Sequence, residues 1–159
     1  MAVYLGPLGL AYNPELLAKK KLAVPRCWKD LLKPEYKGEV QNSNPNSSGT
    51  AYTAIATWVQ LFGEEPAFEY MKALHRNISE YTRSGAGPVK NTGRGENAIA
   101  IGFLALAAGE AKQGLPVKTL VPCEGTGCEI GAMSLIKGSR NLDVPTRYIL
   151  EQLGSGMDS

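Results

Sequence analysis

Five consecutive residues suited to holding an anion, Asn46-Ser47-Ser48-Gly49-Thr50, stand where a short extended segment gives way to a long helical pattern. Amides at the start of a helix have no partner within it. Hydroxyls beside them add donors, so such a loop suits phosphate or carboxylate. The competing reading is that Ser47 or Ser48 merely caps the helix, a role that contributes about 1 kcal/mol. No Gly-Lys-Ser/Thr follows a glycine and four variable residues, so this is not a nucleotide phosphate loop and ATP is not an expected ligand.

A second group, Arg83-Ser84-Gly85-Ala86-Gly87, offers a guanidinium able to grip an anion through two hydrogen bonds, beside small residues that let backbone approach closely. Its bland alternative is a turn with a solvated arginine. Arg94-Gly95-Glu96 reads as an ordinary surface turn. A third loop, Pro122-Cys123-Glu124-Gly125-Thr126-Gly127-Cys128-Glu129, sets two carboxylates five residues apart, where they can accept from ligand hydroxyls or amines.

Catalysis asks for more than this. A glycosidase needs an acid and a base across a sugar-sized cleft, and a hydrolase triad needs a histidine near its serine. The one histidine, His75, falls at the LHRN end of a helical pattern, where positive charge suits the helix dipole. No nucleophile, base and orienter assemble, and the expectation is a binding protein and not an enzyme. The rival is a small α/β enzyme acting on a phosphorylated substrate, with Glu124 or Glu129 as acid/base and the Ser48 loop as phosphate site.

The elements that must position these loops alternate strand with helix. VYLGPLGLAY reads as a strand interrupted at Gly6-Pro7, and Asn13 caps a short helix to Lys20 with Pro14 in its first turn. Trp28, Leu31 and Leu32 share a helical face ended by Pro34, and EVQNS follows as strand. Ala51, Ile55, Trp58, Val59 and Phe62 recur at helical spacing over 49–63; a second helix over 66–76 carries Phe68, Met71, Ala73 and Leu74. NISEYT is strand, Pro88 opens a short helix, and AIAIGFLAL is a buried strand running into the helix LALAAGEAKQG. PVKTLVP and EIGAMSLIKG complete the strands. The pattern argues for α/β layers with a mixed central sheet covered on both faces.

With 159 residues, 43% of them hydrophobic, the chain can bury one core, and a net charge of +2 without a basic stripe makes nucleic acid an unexpected partner. No apolar run reaches the roughly 20 residues that span a bilayer. The opening MAVYLGPLGLAYN lacks the basic segment and small-residue cleavage site of a secretory signal. LGSGMDS reads as a frayed end or an added tail. Three cysteines, Cys27, Cys123 and Cys128, are too few and wrongly spaced for zinc, so no metal or cofactor is expected. Either Cys123 bridges Cys128 and leaves Cys27 unpaired, or all three are free buried thiols.

Three stretches together resemble the iron(III)-type branch of the periplasmic extracellular solute-binding proteins: NPNSSGTAYTAIATWVQLFG, ISEYTRSGAGPVKNTGRGENAIAIGF and VPCEGTGCEIGAMSLIKGSRN. VYLGPLGLAYNPELL and VPRCWKDLLKPEYKGEV fit as well, so the resemblance runs from about Val3 to Asn141. It implies the three-layer α/β/α lobe of a type II periplasmic binding protein. Residues 1–141 would form the second lobe, hinge strands 3–12 and 130–137 included, with 142–159 as a C-terminal helix or tail. The absent export signal would belong ahead of the first lobe.

By this resemblance the ligand-facing residues are Ser47, Ser48, Gly49 and Thr50, then Arg83, Ser84 and Gly85, and finally Glu129. Iron-binding members use an adjacent tyrosine pair, absent here, which argues against an iron(III)-binding lobe. Sugar-phosphate-binding members carry a His-Asp pair after the strand resembling AIAIGF, where Ala105 and Leu106 stand in this sequence. The implied ligand is a small anionic or polar solute such as a phosphonate, phosphate ester or carboxylate. The implied partners are the first lobe and the membrane permease of an ABC importer, in the periplasm. A lobe without its mate would expose the facing surface and could form a homodimer.

Overall fold

The computed structural model describes residues 2–134 together with 138, 147, 148 and 151. Two compact units are distinguished, Gly6–Glu129 and a smaller one of Met1–Leu5 with Ile130–Ser159. The loops of interest all belong to the first. The strands and helices expected from the sequence are largely recovered, with β1 (Ala2–Tyr12), α1 (Pro14–Lys19), β2 (Val40–Ser43), α2 (Gly49–Phe62) and α3 (Glu64–His75) in chain order. Then follow β3 (Ile78–Thr82), α4 (Gly87–Arg94), β4 (Ile99–Phe103), α5 (Leu104–Lys112), β5 (Lys118–Leu120) and β6 (Cys128–Ala132).

The sheet runs β3-β2-β4-β1-β5, and β6 also pairs with β1. β2 is parallel to β3 and β4, whereas β1 is antiparallel to β4 and β5, so the sheet is mixed as expected. Alternation along the strands sorts side chains to two faces. Leu8 and Leu10 of β1, Val40 of β2, and Ile99 and Ile101 of β4 join Trp28, Trp58 and Leu74 in the larger core. Ala11 and Ala100 point the other way, into a smaller core with Val89 of α4 and Ala107 of α5. Helices therefore cover both faces, in three layers. Trp58 sits at the centre of an edge-to-face aromatic run, its ring 5.6 Å from Trp28 and 5.2 Å from Tyr70. Each such large buried side chain contributes roughly 1.5–3 kcal/mol.

Local chemistry sets the boundaries. Asn13 Oδ1 accepts from the amides of Glu15 and Leu16 at 3.1 and 3.0 Å, capping α1 as its position before Pro14 anticipates. Gly63, with φ of 87°, closes α2 where only glycine is relaxed.

Several expectations need correction. β1 is one continuous strand, because its ladder to β4 and β5 begins at Leu8 and Pro7 removes no hydrogen bond from it. The segment Trp28–Leu32 is a 3-10 helix that does end before Pro34, and Pro34 then opens a second one, Pro34–Tyr36. In α3 the buried residues are Ala67, Tyr70 and Leu74, while Phe68 is 47% exposed. The cysteine pairing also differs. Cys27 bonds Cys123, with Cα atoms 4.7 Å apart, and Cys128 is the free, exposed thiol. The Cys123 amide donates to the Arg26 carbonyl at 2.9 Å, which brings the two chain segments side by side. Residues 135–137 of the expected last strand, and most of 142–159, lie outside the described residues.

Candidate functional site

β2 and β3 are parallel neighbours with Ser43 opposite Thr82, so both strands end at the same edge. Each then enters a helix of a different layer: α2 lies on the face of the larger core and α4 on that of the smaller. In open α/β sheets this edge, outside the carboxyl ends of the strands, is where ligands collect.

The first loop is organised by its asparagine. Asn44 Oδ1 accepts from the Asn46 amide at 2.9 Å, and the Asn44 amide donates to Thr82 O at 2.8 Å, which ties the loop to the next strand. Ser47 Oγ donates to Arg83 O at 2.9 Å. Ser48 occupies the N-cap position of α2 in extended geometry, yet its side chain makes no capping bond. Its Oγ donates instead to Ser43 Oγ at 3.1 Å, back at the end of β2. The first amides of α2 are thus left without a side-chain cap, which removes the capping reading for Ser48.

The second loop meets the first. A β-carbon built on Gly85 would lie 2.3 Å from Thr50 Oγ1 and 2.8 Å from Ser48 Oγ. Thr82 Oγ1 donates to Ser84 O at 2.8 Å, folding the chain so that Gly87 begins α4 tight against Thr82. Arg83 and Ser84 are exposed, and no carboxylate among the described residues pairs with Arg83. Ser47, Ser48, Gly49 and Thr50 are therefore gathered with Arg83, Ser84 and Gly85 at one edge. Ser43, Asn44 and Thr82 hold the arrangement together and were not singled out from sequence. The turn-forming Asn-Pro pair at 44–45 was the available signal for Asn44.

The third loop stands farther off. Gly127 O accepts from Leu8 N at 2.9 Å, and a β-carbon on Gly127 would meet Thr57 Oγ1 of α2 at 2.3 Å. Leu8 lies opposite Phe103, so Gly127 is at the same sheet end as Ser43. β6 pairs with β1, which is separated from β2 by β4. Glu129, half-buried, thus lies on β6 and not on either strand that leads into the meeting loops.

Glu124 has a structural task. Its carboxylate accepts from the amides of Trp28 and Lys29 at 2.7 and 3.1 Å, capping the 3-10 helix Trp28–Leu32. That engagement leaves it poorly placed for acid/base work. His75 is the last residue of α3, as its sequence position suggests, and its Nδ1 lies 3.0 Å from the Tyr81 hydroxyl. Burial pushes the Tyr81 phenol above its ordinary pKa. Gly95, with φ of 79°, ends α4, consistent with Arg94-Gly95-Glu96 being a turn. Cys27, Cys123 and Glu124 cluster closely, but the two sulfurs are bonded to each other and do not form a thiolate pair for a metal.

Comparison with known proteins agrees with this architecture. The pattern of the bacterial extracellular solute-binding proteins matches residues 1–144. An uncharacterised protein of Haemophilus influenzae is 53% identical over 143 residues, which cover 89% of this chain and 41% of that protein. The periplasmic binding protein AfuA of Actinobacillus pleuropneumoniae, solved with exogenous fructose-6-phosphate bound, is 53% identical with a TM-score of 0.90. The periplasmic binding protein P5PA is 41% identical with a TM-score of 0.87. Each of these two alignments covers 96% of this chain and 48% of the other, so the chain spans about half the length of its solved relatives. It belongs to the family of bacterial extracellular solute-binding proteins.

Proposed function

We propose that the chain is the second lobe of a two-lobed periplasmic solute-binding protein serving an ABC importer, and that its two meeting loops form one half of an anion site. The contact of Gly85 with the Ser48 and Thr50 hydroxyls carries this reading. It brings uncapped amides at the α2 start and hydroxyls to the loop that carries the exposed Arg83. Amide, hydroxyl and guanidinium donors, with no carboxylate paired to Arg83 among the described residues, match a phosphate or carboxylate group. Among these, the fructose-6-phosphate bound to AfuA favours a phosphate ester. Glu129, on β6 and apart from the strands that carry the two loops, is suited to accept from a hydroxyl or amine elsewhere on the solute.

In the whole protein, solute meets one lobe, and closure of the other adds contacts that shift an open-closed equilibrium by their differential affinity. The closed shape is what the permease recognises. The Cys27–Cys123 disulfide is in keeping with an oxidising compartment such as the periplasm. A lone lobe lacks half the contacts and binds weakly. Calorimetric titration with fructose 6-phosphate should give weaker than about micromolar affinity, reduced about tenfold further in Arg83→Ala, with fructose itself silent. Equal binding of fructose and its phosphate would overturn the anion assignment.

A further inference from the structure

We infer that a second ligand site lies behind the anion loop, in a cavity between α2, α3 and the ends of β2 and β3, and that it takes a small uncharged molecule bearing a hydrogen-bond acceptor. The cavity measures about 330 Å³, at the small end of the roughly 300–1,000 Å³ usual for ligand sites. Ile55, Trp58, Met71 and Leu74 give it an apolar wall. Among the described residues no lysine, arginine or histidine lines it, and neither Ser48 nor Thr50 does.

Asn42 is the informative residue. Strand alternation puts it on the same face of β2 as Val40, where the larger core calls for an apolar side chain. It is only 6% exposed, and it lines the cavity. Its Oδ1 accepts from the Ser43 amide at 2.9 Å, which fixes the orientation of the group. The other terminal atom is therefore the NH2, and no described residue accepts from it. Trp58, from the same wall, carries a fully buried donor without an acceptor among the described residues, its Nε1. An apolar wall beside an amide that has no protein acceptor is the arrangement that orients a neutral amphiphile. The absence of a lining cation excludes an anion as the preferred occupant. The Tyr81 hydroxyl at the rim is already engaged with His75 Nδ1 at 3.0 Å.

The test is a titration of the ¹⁵N-labelled chain with benzamide, toluene and benzoate. Benzamide should shift the Asn42 side-chain amide and the Trp58 indole resonance saturably, with toluene and benzoate binding about tenfold more weakly. Asn42→Leu should weaken benzamide by a similar factor. Met71→Phe, which fills the cavity and keeps Asn42, should abolish the shifts, and it decides the matter if Asn42→Leu does not fold. Fructose 6-phosphate should not displace benzamide, which keeps this inference separable from the anion reading. No saturable shift at Asn42 and Trp58, wild-type affinity in Asn42→Leu, or displacement by the sugar phosphate would each overturn it.

Discussion

Gly85 and Thr50 touch across the seam between two strand-to-helix loops, so closely that a β-carbon on Gly85 would fall 2.3 Å from Thr50 Oγ1 and 2.9 Å from Thr50 Cβ. Rotating the threonine hydroxyl away cannot relieve the second of these contacts, because Thr50 Cβ is fixed to the α2 backbone. Gly85→Ala is expected to part the loops, at a cost of about 1–3 kcal/mol, and to weaken phosphate-ester binding. Urea unfolding and calorimetry on the same variant check both effects. An alanine variant of unchanged stability and affinity would show that the seam is loose.

Ser48 and Ser43 are joined by a hydroxyl-hydroxyl bond of 3.1 Å, and Ser48 makes no cap. A double-mutant cycle of Ser43→Ala and Ser48→Ala should therefore give a coupling of about 0.5–1.5 kcal/mol. Strict additivity, with the whole cost in Ser48→Ala, would restore the capping role.

The Cys27–Cys123 bridge closes a sequence separation of 96 residues. Cys27→Ser is expected to cost about 2–5 kcal/mol, whereas Cys128→Ser should stay within about 0.5 kcal/mol of the parent. Thiol titration of the unfolded chain should find Cys128 alone before reduction and all three cysteines after it. Identical urea midpoints with and without reductant would mean the bridge adds nothing.

Glu124 holds the amides of Trp28 and Lys29. Glu124→Ala should destabilise by about 1–3 kcal/mol and leave solute affinity alone. Lost affinity at unchanged stability would instead move Glu124 into the binding site.

Asp30 carries a pH signature. Its hydrogen bond with the Lys33 side chain, together with bonds from the Arg26 and Cys27 amides, holds its carboxyl below the ordinary value. A depressed folded-state pKa contributes stability above the unfolded value of about 3.9, lost as pH falls through the folded one. The cost of Asp30→Asn should then be present at neutral pH and fade below about pH 4, as read from unfolding curves at each pH. A cost that persists into acid would point to packing and not to charge.

What sequence made visible here was mostly local. Asn13 before Pro14, and the apolar spacing through Trp58, each follow from chemistry within a turn or two of helix, and both are found as read. The two anion-suited loops were also legible, since each joins a strand end to a helix start. The partner of Cys123 was not. It depends on the third loop lying beside Arg26 after almost the full course of the sheet, an adjacency that cysteine spacing does not encode. The 3-10 form of Trp28–Leu32 escaped because five residues cannot separate the two helical periods. Phe68 misled because it sits one position from the buried stripe of Ala67, Tyr70 and Leu74. That Glu129 sits on a strand paired with β1, and not beside β2, required the strand order, which alternation alone leaves open.

The most direct measurement is an amide-resolved titration of the ¹⁵N-labelled chain with fructose 6-phosphate. The largest saturable shifts are expected at Ser48, Gly49, Thr50 and Ala51 on one loop and at Ser84, Gly85 and Gly87 on the other, moving together with a single affinity. Saturable shifts confined to other parts of the sheet, or to one of these loops without the other, would contradict it.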